Sequence, residues 1–364
     1  MQEIKRIFFI PPGSSARVGK NLLEDLNLVF LNKTFFDFFR ERGIGLYTID
    51  AWKPEAHNDK EDALAVFNHP DEGLLLRTFY YLKFLGKGRG KYSVDKKTLK
   101  ILLSAFSRKI LFQAEPPIVM PWPYRHIKKL KKEYSSVFST IHLESEGIKY
   151  FILPYNYTDR FGKNKIEEHF DAPKEKFLVM INSNARPHGY FKYELYSERL
   201  RAIKYFCDKP GFDLYGVRWD RKPFLHWSYA PYVKKAWRGS IPGDNIESKL
   251  PTLARYKFTL LFENSTFPGY VDIKLLDPLV TGTVPVYWGA PDIENYVPKD
   301  CFIDMRDFKT YDELEAYLRA MSDSERERYR SNIRDFLRSE QAKVFTPRYF
   351  AEVMHRAVQE ISAK

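Results

Sequence analysis

The feature that most constrains this chain is an alternation, run through twice, of short apolar runs with longer amphipathic stretches. A short apolar run bounded by turn residues suits a strand buried on both faces. Amphipathic stretches between such strands suit the covering helices, and the product is a parallel sheet. In the first half, Lys5–Ile10, Gly45–Asp50, Ala63–Asn68, Lys109–Gln113, Ser139–Leu143 and Tyr150–Pro154 read as strands, with helices expected over Leu22–Arg42 and Ser93–Phe106. The polar stretch Arg160–Glu175, with Gly162 and Pro173, reads as a linker. The alternation then resumes. Strands are expected at Phe177–Ile181, Phe212–Tyr215, Lys257–Phe262 and Thr283–Tyr287, and helices at Glu194–Phe206, Ile246–Arg255 and Asp272–Val280. Asp220–Asp244 reads as irregular, and the Arg-rich tail Tyr311–Lys364 as helical. The expected class is α/β, with two Rossmann-like domains facing a cleft. The domains are expected over 1–172 and 173–345, a geometry that suits a large donor on one half and an acceptor on the other, followed by a helix over 346–364 that crosses back.

Composition agrees with two folded domains. The chain has 364 residues, 44% hydrophobic and 16% aromatic, enough to fill two cores. The run Ile7-Phe8-Phe9-Ile10 is too short for the apolar region of a signal peptide, and no segment reaches the roughly 18 apolar residues of a membrane span. Two cysteines, Cys207 and Cys301, make no disulfide framework and suit a reducing, cytoplasmic setting. The net charge of +12 fits an anionic partner or a solvated basic surface. Its local clusters, Lys96–Lys100 and His126–Lys132, lack the patterns of an RNA-binding sheet or a zinc finger, so no nucleic-acid partner is expected.

The segment Leu260–Phe308, LLFENSTFPGYVDIKLLDPLVTGTVPVYWGAPDIENYVPKDCFIDMRDF, concentrates the chemistry. An apolar strand ends in Glu263-Asn264-Ser265, where the carboxyl end of a parallel strand meets ligand. A Pro268-Gly269 turn and Tyr270 follow, then a helix expected to start near Asp272 with Lys274 in its first turn. A helix start of this kind suits phosphate.

FENS, GYVDIK and VPVYWGAPDIENYVPKDCFID together resemble the donor-binding signature of the α-1,3/4-fucosyltransferase family, whose members are inverting, use GDP-fucose and have a two-Rossmann (GT-B) fold. The resemblance implies that Asn264, Tyr270 and Lys274 contact the nucleotide or its diphosphate, with Glu263 and Asp272 beside them. It also implies a diphosphate-clamping arginine in the first helix of the donor domain. Arg199 is that arginine by count back from Phe212-Asp213-Leu214-Tyr215-Gly216, with Arg186 in reserve. In the first domain the resemblance implies a catalytic glutamate just past a buried strand. Glu115 in Ile110-Leu111-Phe112-Gln113-Ala114-Glu115 fits, as the base that takes the acceptor hydroxyl proton. The implied acceptor is a GlcNAc- or glucose-containing glycan.

The chain departs from the family where its signature reads TEK. Here the residues are Asp272-Ile273-Lys274, so the family glutamate falls on Ile273, and Asp272 is expected about 100° away around a helix. A different nucleotide-activated deoxysugar, in surface-polysaccharide synthesis, is therefore one alternative. A basic module that binds polyanions or glycans without catalysis is another. No histidine or cysteine spacing indicates a metal site, and none is expected. Arg326, Arg328, Arg330, Arg334 and Arg338 form either a solvated helix face or a peripheral contact with an acidic inner-membrane surface.

Overall fold

The computed structural model describes residues 3–10, 33–69, 96–155, 167–188, 192–220, 227–241 and 246–363. The chain forms two compact units, Met1–Asn156 with Thr346–Lys364, and Tyr157–Phe345.

The first unit is built on β1 (Arg6–Ile10), β2 (Gly45–Thr48), β3 (Asp62–Phe67), β4 (Lys109–Gln113), β5 (Ser136–Ser139) and β6 (Lys149–Tyr150). Their order is β2-β1-β3-β4-β5-β6, and every neighbouring pair is parallel. Every residue of β3 is buried, as expected for a strand covered on both faces. The described helices are α1 (Lys33–Arg40), α2 (Lys96–Ala105), α3 (Pro121–Arg125) and α4 (Ile127–Glu133), with α11 (Pro347–Ser362) returning from the far end of the chain. In α1 the phenylalanines at 35, 36, 38 and 39 share one buried face. That face packs with Phe350, Met354 and Val358 of α11 in one core with Phe9, Phe67, Phe112 and Phe151. The Phe350 ring lies 5.7 Å from Phe35 and 5.4 Å from Phe112, so α11 fills the unit's centre.

The second unit is built on β7 (Lys176–Ile181), β8 (Phe212–Tyr215), β9 (Trp237–Gly239), β10 (Tyr256–Phe262), β11 (Val284–Trp288) and β12 (Ile303–Asp304). The order is β12-β11-β10-β7-β8-β9, again all parallel. This is the strand order of a dinucleotide-binding Rossmann sheet. The described helices are α5 (Tyr196–Phe206), α6 (Ala230–Ala236), α7 (Ile246–Leu253), α8 (Leu276–Val280), α9 (Tyr311–Ala320) and α10 (Asp323–Arg338).

Four expectations change. The unit boundary falls at 156/157 rather than 172/173. Phe170 is buried under Arg330 and Arg334 of α10, and its carbonyl accepts from Arg330 Nη2 (2.9 Å), which ties residues 167–171 to the second unit. The stretch expected to be irregular carries α6 and β9. Pro231 starts a helix there instead of breaking one, because a first-turn proline forfeits no hydrogen bond. The strand expected at Ser139–Leu143 lies instead at Ser136–Ser139, because pairing with β4, from Ile110–Ser136 to Gln113–Ser139, sets its place and admits serines to the ladder. The helix expected over Asp272–Val280 is a 3-10 turn, Ile273–Leu275, followed by α8. Of the helix expected over 22–42, residues 22–32 lie outside the described residues.

If α11 is a structural part of the first core, Phe350→Ala should destabilise the protein by about 3–5 kcal/mol in urea unfolding. A loss below about 1 kcal/mol would mean that the helix is only appended.

Candidate active site

Parallel strands send all their exits to one end of the sheet, and a crevice opens where successive connections turn in opposite directions. In the second unit that point lies between β7 and β10, because β8 and β9 continue on one side and β11 and β12 on the other. The segments leaving this pair are stitched together. Leu195 N donates to the Asn264 carbonyl (3.1 Å) and Thr266 N to the Tyr193 carbonyl (2.9 Å), while Glu194 and Ser265 form an antiparallel bridge.

A side-chain relay crosses the same place. Arg199 of α5 is only 4% exposed. Its Nε and Nη2 donate to the carbonyl of Phe262, the last residue of β10 (3.1 and 2.6 Å), and Nη2 also donates to Asn264 Oδ1 (3.1 Å). Asn264 Nδ2 donates to Tyr270 Oη (3.1 Å), which donates to Asp272 Oδ2 (3.2 Å). Asp272 pairs with Lys274 Nζ at 3.1 Å. The Arg199 guanidinium also lies over the Tyr196 ring at 4.7 Å. Its neighbour Arg201 is exposed and pairs with Glu198 on the helix surface.

Glu263 lies beneath the relay, with no exposed surface. Its Oε1 accepts from Asp272 N (3.1 Å), whereas Oε2 accepts no hydrogen bond among the described residues, and Lys274 Nζ lies 3.9 Å from it. Burial, together with the Asp272 charge, raises the Glu263 carboxyl to about 7. Burial also pushes Asp272 up, but Lys274 and its backbone N–H outweigh this and hold Asp272 below the usual carboxylate range. For Lys274 burial acts downward, and Asp272 and Glu263 carry it above its ordinary value. Gly289 makes room for this packing, since a Cβ there would sit 2.5 Å from Glu263 Cγ.

The Pro268-Gly269 turn is clamped from the neighbouring exit. Gly269 has φ +79°, and its N–H is shared by Asp292 Oδ1 and Oδ2 (2.9 and 3.1 Å). Arg306, bonded to the Asp304 carboxylate, donates to the Pro291 carbonyl (2.9 Å) and braces that loop.

In the first unit, Glu115 stands two residues past β4, half-buried. Its loop is ordered by Asn68, which follows β3 with φ +57°. Asn68 Oδ1 accepts from Ala114 N (2.8 Å), Glu115 N (3.0 Å) and Gln113 Nε2 (3.3 Å). The Glu115 carbonyl accepts from Tyr124 Oη (2.9 Å) and Gln113 Nε2 (3.2 Å), and the Ala114 carbonyl from Thr140 Oγ1 (2.8 Å).

The structure therefore brings Arg199, Glu263, Asn264, Tyr270, Asp272 and Lys274 into one network. Arg186 lies in the loop after β7, and no hydrogen bond or ion pair joins it to the network among the described residues. The helical expectation for Asp272 is corrected. It is an extended N-cap whose Oδ1 accepts from Lys274 N (3.1 Å), so the expected free helix start is already capped and the 100° argument does not apply. The roles of Asn68, Asp292 and Tyr196 were missed, because long-range bonds and one ring contact define them. Among the described residues no group of three or more His, Cys, Asp or Glu side chains could hold a metal ion. The arginines of α10 divide. Arg330 and Arg334 pack on Phe170 and pair with Asp171, Arg326 pairs with Asp323, and Arg328 and Arg338 are exposed.

Residues 232–351 match the family model described as Glycosyltransferase family 10 (fucosyltransferase) C-term. The match contains Glu263, Asn264, Tyr270, Asp272 and Lys274 and excludes Glu115, Arg186 and Arg199. An α-(1,3)-fucosyltransferase FucT of Helicobacter pylori is 40% identical over 78 residues, which is 21% of this chain and 16% of that protein. Human α-(1,3)-fucosyltransferase 7 is 42% identical over 110 residues, 29% of this chain and 32% of the relative. The matched stretches thus span about a third or less of those relatives' lengths. A solved α-glucosyltransferase, in complex with UDP and a 13-mer DNA, is 12% identical and covers 99% of this chain and 100% of its own with a TM-score of 0.54. That likeness is one of fold, the two-sheet GT-B class.

Asn68→Gly keeps the left-handed backbone but removes Oδ1. It should speed hydrogen exchange at the Ala114 and Glu115 amides and cost about 1–3 kcal/mol, while Asn68→Asp should largely restore both. Unchanged exchange in the glycine variant would mean that the loop is ordered by other contacts.

Proposed function

We propose that this chain, whose residues 232–351 match the C-terminal model of glycosyltransferase family 10, is an inverting fucosyltransferase. In this reading it moves L-fucose from GDP-fucose to a hydroxyl of a GlcNAc- or glucose-containing glycan, an α-1,3 transfer. One observation carries the reading most. The Arg199–Asn264–Tyr270–Asp272–Lys274 relay lies at the switch point of a Rossmann sheet, largely inside the matched stretch.

Lys274 and Arg199 balance charge on the departing GDP, with Asn264 and Tyr270 shaping the pocket. Glu115 takes the proton of the acceptor hydroxyl as its oxygen attacks the sugar carbon. The bond to the β-phosphate oxygen breaks on the opposite face, and its electron pair leaves with GDP, so configuration inverts. Positive side chains at the leaving group make the reading one without a bound metal. Ile273, in place of the family glutamate, leaves another nucleotide-activated deoxysugar as the alternative donor. The workplace in this reading is the cytoplasm, with peripheral contact to an acidic inner-membrane face through Arg328 and Arg338. Sedimentation with anionic vesicles tests that contact, and loss of it in the double alanine variant is the expected result.

A thermal-shift panel of GDP-fucose, GDP-mannose and UDP-, CMP- and dTDP-sugars tests the donor. GDP-fucose at a hundredfold excess over Kd should stabilise the protein by about 2.7 kcal/mol. A shift with a different sugar nucleotide alone would move the reading to another deoxysugar transferase. Silence with every donor, alongside salt-sensitive polyanion binding, would favour a non-catalytic binder.

Glu115→Gln should bind GDP-fucose normally and lose transfer, and undiminished transfer would remove Glu115 from the reaction. Lys274→Ala should weaken GDP binding by about tenfold or more, and unchanged affinity would take Lys274 off the diphosphate.

A further inference from the structure

The cluster at this end of the second unit's sheet contains two positive groups, buried Arg199 and part-exposed Lys274, and two carboxyl groups, part-buried Asp272 and fully buried Glu263. With both carboxyls ionised the cluster is neutral, whereas the diphosphate of a nucleotide sugar arrives carrying two negative charges. We propose that Glu263 is the proton-carrying residue of donor binding: its carboxyl is neutral when the nucleoside-diphosphate sugar is bound, and binding above neutral pH draws a proton onto Oε2. The inference rests on the reading of this site as one for a nucleoside-diphosphate sugar.

Geometry singles out Glu263 rather than Asp272. Asp272 holds the close ion pair, 3.1 Å from Lys274 Nζ, and is bonded by Tyr270 Oη and Lys274 N as well. Glu263 has the weaker claim on the same ammonium, at 3.9 Å. Its two oxygens are unequal. Oε1 accepts the Asp272 amide as a carbonyl oxygen does, and Oε2 accepts no hydrogen bond among the described residues, so it is the natural seat of a proton. A fully buried carboxylate with one unsatisfied oxygen is costly, and neutralisation relieves the cost.

The groups around Glu263 oppose one another: burial and the Asp272 charge push its carboxyl up, while Lys274, the Asp272 amide and Arg199 pull it down. α5 contributes Arg199 and the Tyr196 hydroxyl, the loop after β10 contributes Tyr270, Asp272 and Lys274, and β11 contributes the buried Tyr287 hydroxyl, whose Oη accepts from Ala290 N. The buried Lys249–Asp277 pair lies beyond, where Lys249 helps keep Asp272 ionised. The upward influences win, and burial with Asp272 brings Glu263 to about 7. A raised carboxyl holds its proton below that value and releases it above. An incoming dianion raises the value further. Affinity is therefore greatest at low pH and falls as pH rises through and beyond 7, by at most about tenfold per pH unit.

GDP-fucose itself is the right probe. Its diphosphate is esterified at both ends and does not titrate between pH 6 and 8.5, whereas the terminal phosphate of free GDP does. Calorimetric titration at pH 8, in buffers of different ionisation enthalpy, should show uptake approaching one proton per ligand. Kd should rise by roughly tenfold between pH 6.5 and 8.5. In Glu263→Gln, uptake should vanish and Kd should stay flat. Wild-type binding with no proton uptake overturns the inference and leaves the donor reading standing. Uptake that persists in a folded Glu263→Gln variant assigns the proton elsewhere and also overturns it. Failure of any nucleotide sugar to bind overturns the donor reading and the inference with it. Where the variant does not fold, the wild-type buffer series decides alone.

Discussion

The geometry of the second unit depends on one guanidinium. Arg199 reaches from α5, the helix that follows β7, to the carbonyl of the last residue of β10, and so bridges the two strands whose connections diverge. The same fork then holds the Asn264 amide and, through it, the rest of the relay. A planar group with five N–H donors and a charge that persists when buried can do both at once, and an ammonium on a flexible stem cannot. Without it, a buried carbonyl and a buried amide oxygen would each lose a partner, at about 1–3 kcal/mol apiece.

Placing charges in an apolar sheet end is expensive, and apolar side chains of the same volume are often as stable or more so. The two ends of the sheets handle this differently. At the start of β3, Asp62 is as buried as Glu263 but accepts from Arg6 Nε and Nη2 (2.7 and 2.9 Å) and Asn58 N (2.8 Å), with His57 Nδ1 2.8 Å away. That cluster is closed, and its chemistry is exhausted in joining β1 to β3. The cluster around Lys274 is open, with an unsatisfied Glu263 oxygen and an unsatisfied Ser265 hydroxyl among the described residues. A closed cluster stabilises a fold, whereas an open one holds capacity that a ligand can use.

Much of this was legible in the sequence, because buried parallel strands announce themselves as apolar runs. β4 and β8 fall where the runs place them, and the exit after β10 is legible from the polar residues that interrupt its run. What was not legible depends on three-dimensional pairing. β9 has three residues and owes its place to β8, not to any periodicity of its own. Asp272 was misjudged because 100° per residue holds only inside a helix, and this residue caps a 3-10 turn from outside it. Asn68 looks like a strand terminator, and nothing nearby in sequence shows that the amides it serves lie 46 and 47 residues on.

The two units solve one problem in the same way. A loop that leaves a strand must be rigid if it is to aim a side chain, yet it has no ladder to hold it. In the first unit Asn68, at the exit of β3, catches the amides just past its neighbour β4. In the second, Asp292, beyond β11, catches the Gly269 amide past its neighbour β10. Neighbouring strands lie about 4.8 Å apart, so in a parallel sheet a short amide or carboxylate side chain on one exit reaches the backbone of the next. An antiparallel sheet alternates its exits between two ends and puts neighbouring exits out of reach. The parallel order that forces polar groups to gather at one end therefore also supplies the short cross-bracing that holds them in position.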